Sequence, residues 1–356
     1  SRIKGTPFSY WASKKVYSLF DNHGCIEKVA LPKQGSTIGH NDQFLRMWFE
    51  LTHALSSKWK YSTKGGDFRR WYGNSIYVVN WGFDGEEIRA TGRATIRNPK
   101  FLFCEGIEWS RVTSSLASFR SMDEGFFHES ASGVAFPPKE KKYSILGLLN
   151  TKLTGYFLNL FNQTITFQSG DVSRIPYIEV PCESIVQRLV KDFKQDWDSY
   201  ETSWDFIRLP LLNPDYHQPT LKTTYQKLRA HWREMTLEMQ RLEEENNRIF
   251  IDAYGLQDEL TPEVSLNEIT LTCNPHYRYG NDKSEDELEA LLLADTMREL
   301  VSYAVGCMFG RYALEKPGLI LANQGETIKD YLKQIPEPSF PADDDNVVPM
   351  LDGDWF

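Results

Sequence analysis

Apolar positions follow two different periods along the chain, and the change of period divides it. Over residues 1–142, short runs of β-branched and aromatic side chains alternate with Gly-containing turns, a pattern typical of strands. This pattern predicts strands at residues 75–81, 101–104 and 107–112. It predicts one helix in this region, at residues 42–54, where large apolar side chains recur at helical spacing.

Helical periodicity dominates the remainder of the chain. Residues 143–161 and 184–204 place apolar side chains three or four positions apart, and residues 284–304 do so between acidic residues. Residues 175–181 contain two prolines, which predict an edge strand or an extended segment that leaves the first region.

The most regular pattern lies at residues 221–250, where large side chains alternate four and three positions apart, as in a heptad seam. Strong helix formers fill the gaps, so we predict one helix of about 45 Å at ~1.5 Å per residue. We expect it to pair with the preceding helix as an antiparallel hairpin, with the polar Asn246 fixing the register. A single long core helix is the alternative interpretation.

Together these patterns predict an α+β fold with three parts. We expect a β-rich domain at residues 1–180 and a long helical spacer or hairpin at residues 181–256. An acidic, mostly helical region is expected at residues 257–356, with a charged tail from residue 343 to the end.

Composition is that of a globular protein, with 41% hydrophobic and 25% charged residues. No apolar run approaches the ~20 residues that a membrane span needs, so no membrane partner is expected. The five cysteines are scattered and form no Cys-x-x-Cys pair. We therefore expect no zinc site or other metal site, no disulfide framework, and a reducing cytoplasm as the location.

Charge is distributed unevenly, although the net charge of −9 at first disfavours a nucleic-acid partner. Residues 1–180 hold 23 Lys and Arg against 16 Asp and Glu, whereas residues 181–356 hold 17 against 33. The asymmetry indicates a basic working part and an acidic companion. Chance clustering on solvated faces is the alternative.

Four groups of basic, small and aromatic residues lie in predicted loops of the basic half, at residues 35–46, 64–74, 93–100 and 109–120. Gly, Ser and Thr let backbone N–H groups approach phosphates closely, and Arg beside aromatic residues suits phosphate or base-edge contact. For any single loop, a Gly turn with solvated charges explains the sequence equally well. Since all four lie in the basic half, we predict DNA contacts from Lys33, Thr37, Asn41, Arg46, Lys64, Arg69, Arg70, Asn74, Arg111 and Arg120.

The same segments resemble the PglX family, the adenine-specific DNA methyltransferases of bacteriophage-exclusion (BREX) defence systems. The resemblance runs through essentially the whole chain and matches the carboxy-terminal part of that family, which holds the target-recognition domain and a helical spacer. Its most specific stretches are residues 5–11, 36–46, 64–74, 147–150, 168–176, 201–206, 248–263 and 302–312.

The resemblance implies that residues 1–180 are a target-recognition domain that binds double-stranded DNA in phage defence. The family's amino-terminal domain binds S-adenosylmethionine and carries the Pro-Pro-aromatic motif of adenine methylation. This chain shows neither a Gly-rich cofactor turn nor that motif, so we expect no catalytic residue, no cofactor bound here and no activity by the chain alone. Implied partners are the methyltransferase domain of the same protein, other phage-defence proteins and a phage inhibitor that imitates the charge of DNA.

Two other functions stay open from the sequence. Asn213-Pro214-Asp215-Tyr216 and Asn274-Pro275-His276-Tyr277 approach the methylation motif, but each lacks its second proline and is typical of a turn. A complete methyltransferase with a degenerate motif is therefore one alternative. The other is a scaffold that assembles the defence complex through its paired helices.

Overall fold

Twelve helices and eight strands make up the part of the chain that the computed structural model describes, which is residues 12–51, 58–162, 164–323 and 325–343. Residues 5–11, which carry part of the family resemblance, and the tail after residue 343 lie outside it. The helices are Lys14–Asn22 (α1), Glu27–Ala30 (α2), Asn41–Phe44 (α3), Gly82–Ala90 (α4), Lys142–Leu149 (α5), Lys152–Phe161 (α6), Ser169–Ser173 (α7), Glu183–Asp198 (α8), Leu221–Tyr254 (α9), Pro275–Tyr279 (α10), Glu285–Met308 (α11) and Ile328–Gln334 (α12). The strands are Lys33–Gln34 (β1), Leu45–Met47 (β2), Trp59–Thr63 (β3), Tyr77–Asn80 (β4), Gly106–Ser110 (β5), Phe119–Met122 (β6), Phe126–His128 (β7) and Ser132–Ala135 (β8).

The strands form two four-stranded sheets, and all of them precede the long helices. The first sheet is antiparallel throughout, in the order β1-β8-β5-β6. The second has the order β2-β4-β3-β7, with β3 and β7 parallel. The turn at residues 129–131 joins β7 of one sheet to β8 of the other. The predicted α+β fold class, with a β-rich first part and helices after it, is confirmed.

Two predicted elements of the β-rich part are wrong. Residues 42–51 do not form one helix, because the chain leaves α3 after Phe44 and pairs as β2 with β4 instead; residues 52–54 lie outside the described part. Residues 101–104 do not form a strand, because a short 3₁₀ turn begins at Pro99 and Phe103 adopts a left-handed conformation with φ of 66°. Strands at residues 75–81 and 107–112 are confirmed as β4 and β5.

The helix predicted at residues 143–161 is divided into α5 and α6. Asn150 ends α5, and its side-chain amide pairs with both the N–H and the C=O of Phe119 in β6. Thr151 then caps α6 by accepting from Thr154 N–H. The break therefore fastens the helices to the first sheet.

The helix predicted at residues 221–250 is confirmed as α9, which has 34 residues. Thr220 caps its start, and Gly255 ends it with a left-handed φ of 66°. It packs against α8, as expected, but Asn246 does not set the register of that pair. Its amide donates to Gly147 O of α5 at 3.0 Å, so it ties the long helix to the β-rich part instead.

The largest apolar core is shared between the predicted parts. Trp71 and Trp109 from the β-rich part belong to the same buried cluster as Trp232 and Met239 of α9. The predicted boundaries at residues 180 and 256 stay predictions. Within the described residues, no helix is both long and apolar enough to cross a bilayer.

His128, at the end of β7, is buried beside the turn that joins the sheets. Its Nε2 lies 2.9 Å from Phe101 O, and since a carbonyl only accepts, Nε2 carries the proton and Nδ1 is left as a buried acceptor. Burial lowers the pKa of this imidazole to about 4. The folded protein therefore favours neutral His128.

We predict an acid-sensitive contribution to stability from His128. Its folded pKa of about 4 lies below the unfolded value of about 6.5, so this contribution is present above pH ~6.5 and is lost as the pH falls toward 4. The loss amounts to roughly 3 kcal/mol. Urea unfolding across this range should show a flatter pH dependence for His128→Gln than for the unaltered chain. Equal slopes would contradict the assignment.

Candidate nucleic-acid interface

Three of the predicted loops meet at the turn of residues 129–131, which we call the loop junction. The first is the loop that follows β1. Ser36 N–H donates to His128 O at 2.6 Å, and Ser36 pairs with Glu129 as an isolated bridge. Gly35 lies so close to the backbone of Glu129 that a Cβ there would overlap its carbonyl. Only glycine permits this approach.

The second loop reaches the junction from the end of β3. Thr63 Oγ1 accepts from Glu129 N–H at 3.1 Å, and Gly65 N–H donates to Ser132 Oγ at 2.8 Å. Lys64 Nζ lies 3.7 Å from a Glu129 carboxylate oxygen. The lysine side chain is 24% exposed, so the junction encloses it only in part.

The third loop follows β5. Arg111 N–H donates to Ala131 O at 3.0 Å, and its guanidinium donates to Ser130 O at 2.7 Å and to Gln168 Oε1 at 2.9 Å. Arg111 is therefore half-buried and held from both sides. Its position brings a third cationic loop to the same turn.

Glu129 organises the junction from inside. Its side chain is almost fully buried, and its carboxylate accepts from Ser130 Oγ at 2.8 Å and from Ala131 N–H at 2.7 Å. The sequence analysis missed this turn. The run of small residues from Ser130 to Gly133 between two strands is the signal that predicts it.

Thr37 and Lys33 lie close to the junction. Thr37 Oγ1 accepts from the Arg97 guanidinium at 3.1 Å, and the same guanidinium donates to Gly35 O. Lys33 is half-buried in β1, opposite Val134 of β8.

Asn41, Arg46 and Asn74 lie elsewhere in the same part of the molecule. Asn41 is exposed at the start of α3, and Arg46 in β2 donates to the carbonyls of Asp42 and Leu45. Asn74 donates to Asp67 O across the base of the second loop and has a φ of 63°. Arg46 and Asn74 therefore hold local backbone.

Arg120 is fully buried, with 0% exposure. Its guanidinium pairs with Glu108 Oε1 at 3.1 Å and donates to Arg69 O at 3.2 Å. Burial raises the pKa of Glu108, while the neighbouring guanidinium acts in the opposite direction. No phosphate reaches Arg120 in this conformation.

Arg69 and Arg70 are also buried, and both face the helical part. Arg69 donates to Thr272 Oγ1 at 2.8 Å, lies 3.7 Å from Asp196 and stacks over the Trp197 ring at 4.9 Å. Its guanidinium is thus enclosed between α8 and the segment before α10. The structure gives Arg69, Arg70 and Arg120 internal partners instead of an exposed face.

Arg70 is the centre of a buried cluster that also contains Trp71, Glu243 and Glu268. Its guanidinium donates to Glu243 and to Glu268, each at 2.7 Å, while Trp71 Nε1 donates to the second oxygen of Glu243 at 2.7 Å. Burial raises the pKa of Glu243, and Arg70 opposes that shift. The two carboxylates more than offset the burial of Arg70 and raise its pKa.

The two segments that approach the methylation motif are turns in the structure. Asn274 is fully buried; its amide donates to Leu266 O and Ile269 O, and its Oδ1 accepts from His276 N–H at the start of α10. Asn213 caps a 3₁₀ turn and lines a cleft of about 640 Å³ between α8 and α9. Within the ranges that the structure describes, no three His, Cys, Asp or Glu residues group as a metal site.

Comparison with known proteins relates the whole chain to methyltransferases. It is 32% identical over 369 residues to the adenine-specific methyltransferase BrxX of Escherichia coli O9:H4 (strain HS), and 32% identical over 382 residues to the adenine-specific methyltransferase PglX of Lacticaseibacillus casei (strain Zhang). Each alignment covers all of this chain and 30% of the relative, so the chain spans less than a third of the curated relatives it matches. No family model matches the chain.

We predict that Glu243→Ala lowers the free energy of unfolding by about 3–5 kcal/mol, because it leaves Arg70 buried with one partner fewer. Glu245→Ala, two positions away on α9, is the matched control. Glu245 pairs with Arg241 on the surface, so its loss should cost under about 1 kcal/mol. Denaturant unfolding measures both variants, and equal effects would show that the cluster does not stabilise the fold.

We predict that Gly35→Ala disturbs the loop junction and destabilises the protein by about 1–3 kcal/mol, because the new methyl group overlaps Glu129. The control is Gly155→Ala in α6, where no atom lies within 4 Å of the added carbon. That change should stabilise the helix by about 0.5–1 kcal/mol. Thermal unfolding distinguishes the two, and a neutral Gly35→Ala would contradict the close approach.

Proposed function

We propose that this chain, which belongs to the PglX and BrxX family of adenine-specific methyltransferases, recognises the DNA sequence at which the family's enzymes methylate adenine. The observation that carries the proposal is the loop junction, where three Gly-, Ser- and Arg/Lys-containing loops come together at one turn. Loops that lie far apart in the sequence are thereby brought to one place in the fold.

The surface around the junction has the chemistry that a DNA backbone requires. Lys64 and Arg111 supply cationic groups, and the Thr37 hydroxyl, which accepts from the Arg97 guanidinium, still has its own proton to donate. Phosphate contacts of this kind set the position of a protein on the duplex, and neighbouring side chains read the base edges. We keep Lys33, Asn41, Arg46 and Asn74 as proposed DNA contacts outside the junction itself.

The buried arginines serve the same function indirectly. Arg69, Arg70 and Arg120 hold the base of the second loop against the helices, so the loop presents Lys64 from a fixed position. A preorganised loop loses less conformational freedom when it binds. We therefore assign these three residues a positioning role and propose direct contact from the partly exposed Lys64 and Arg111.

The acidic helical half fits a role in assembly. We propose that it contacts the methyltransferase domain, which supplies S-adenosylmethionine binding and the catalytic motif, or other phage-defence proteins. A phage protein that imitates the charge of DNA would compete at the basic surface. A scaffold without DNA binding is the rival function, and the paired helices α8 and α9 are the feature that favours it.

A catalytic role for Asn274 fits the structure poorly, because both ends of its side-chain amide are already occupied by backbone groups. Incubation of the chain with labelled S-adenosylmethionine and DNA tests the rival enzyme. Methyl incorporation without an added domain would favour that rival.

We predict that the chain binds a fluorescently labelled duplex, with affinity that falls steeply between low and physiological salt. Lys64→Gln should weaken binding to all sequences and lower the salt slope by about 1, since one phosphate contact is lost. Lys222→Gln, an exposed lysine at the start of α9, is the matched control and should leave both values unchanged. Fluorescence anisotropy measures all three proteins.

Undetectable binding at low salt would overturn the proposal and favour the scaffold. Equal loss in both lysine variants would show that binding follows overall charge and not the loop junction. An acidic polypeptide added to the complex should displace the DNA from the same surface.

A further inference from the structure

Beside the loop junction, β5 continues past the sheet as one edge of a narrow two-stranded ribbon. Phe167 N–H donates to Arg111 O at 2.8 Å, and Thr113 N–H donates to Ile165 O at 3.0 Å. Val112 and Thr166 form the antiparallel pair between these bonds. We call residues 111–116 together with 164–167 the ribbon.

The base of the ribbon is anchored in the protein. Trp109 Nε1 donates to Phe167 O at 3.0 Å, and Trp109 is fully buried. On the other strand, Asn162 donates to Thr166 O at 2.8 Å and to Asp171 at 3.2 Å. These bonds attach the base of the ribbon to the rest of the protein.

The exposed end carries apolar side chains on both faces. Val112 is 60% exposed and Ile165 is 59% exposed. Because cross-strand partners share a face and neighbours along a strand alternate, Val112 lies on the face of Thr166, and Ile165 lies on the opposite face with Thr113. The protein core therefore covers neither Val112 nor Ile165.

Between these apolar groups the ribbon presents hydroxyls and no ionisable side chain. Thr113, Ser114, Ser115 and Thr164 line a shallow cleft of about 360 Å³ with Ile165 as part of its wall. The single charged residue of the ribbon is Arg111, at its base, next to the loop junction. Within a few residues, the ribbon therefore presents the Arg111 guanidinium, several hydroxyls and the methyl groups of Val112 and Ile165.

Charge distinguishes this site from Phe83, another exposed apolar side chain of the basic half. Phe83 is 89% exposed, but it is followed by Asp84, Glu86 and Glu87, whose carboxylates repel a phosphate backbone. The ribbon has no such carboxylate at its exposed end. Its chemistry suits DNA, whereas that of Phe83 does not.

We propose that the ribbon enters the major groove of duplex DNA and that Val112 and Ile165 read thymine by contact with its 5-methyl group. The major groove admits a two-stranded ribbon, and there thymine alone presents a methyl group, while Ser and Thr hydroxyls bond to the base edges beside it. This inference rests on the proposed function, because it names the residues that read the sequence once the junction holds the backbone.

The test begins with selection of bound duplexes by the chain from a pool with randomised positions. Each thymine of the enriched sequence is then replaced by deoxyuridine, which removes the methyl group and leaves the hydrogen-bonding edge intact. The unaltered chain should bind about fourfold more weakly for each contacted methyl group lost, the ratio that corresponds to ~0.8 kcal/mol per buried carbon. Val112→Ala should bind the thymine duplex more weakly and show no further loss with deoxyuridine at the position that Val112 contacts.

Val301→Ala is the matched control, because Val301 is 62% exposed on α11 in the acidic half. It should keep both the affinity and the sensitivity to deoxyuridine. Thermal unfolding of both variants should match the unaltered chain, since neither side chain is buried.

The outcomes separate the inference from the function on which it rests. DNA binding without sequence enrichment, or enrichment with no effect of deoxyuridine, overturns the reading role of the ribbon and leaves backbone binding in place. A deoxyuridine effect that persists undiminished at every position in Val112→Ala and Ile165→Ala also overturns it. Failure to bind any duplex overturns both the inference and the proposed function.

Discussion

The ion cluster around Arg70 is the interaction on which the arrangement of the molecule depends. A guanidinium that is removed from water is tolerated only when carboxylates and hydrogen bonds replace its hydration. Glu243 comes from the middle of α9, and Glu268 comes from the segment that follows it. The loop that contains Arg70 is therefore fastened to the long helix at one end, while its other end reaches the loop junction through Lys64.

This fastening explains the unusual backbone of the same loop. Trp71 and Asn74 have positive φ values of 69° and 63°, which non-glycine residues seldom adopt. Gly73 lies between them, and a Cβ there would overlap the side chain of Arg69. Strained conformations persist where the surrounding contacts determine them from several sides. Here the buried arginines provide those contacts, and the strain is confined to the segment that shapes the proposed interface.

The same ion pairs change the meaning of the uneven charge. The sequence analysis attributed the basic half to DNA and the acidic half to a separate companion. In the structure, Arg69 and Arg70 of the basic half are neutralised by Asp196, Glu243 and Glu268 of the acidic half. Part of the asymmetry is thus an attraction between two parts of one molecule. For the proposed nucleic-acid partner, the relevant quantity is therefore the set of Lys and Arg side chains that are not paired in this way, and not the total number in residues 1–180.

A structural feature could be predicted from the sequence where the residues that determine it are close together along the chain. The helix at residues 221–250 was predicted accurately because its period repeats within each turn. Residues 42–54 carry a similar period, but pairing of β2 with β4 overrode it, and the partner strand lies more than thirty residues away. The loops of the candidate site stay predictions, and the burial of Arg70 depends on a carboxylate at residue 243 that no local pattern connects to it.

The buried and the partly exposed cations would contribute differently to the proposed recognition of a DNA sequence. Discrimination between base pairs depends on contacts that lose most of their value when a side chain is displaced by about an ångström, so the elements that read bases need rigid support. Phosphate contacts are less demanding because a flexible lysine adjusts to its target. In the proposed interface, Lys64 is partly exposed beside the junction, while the ribbon is held at its base by Trp109 and Asn162. Under the proposed function, α9 would support specificity without contact to DNA, because it anchors the second loop through Arg70.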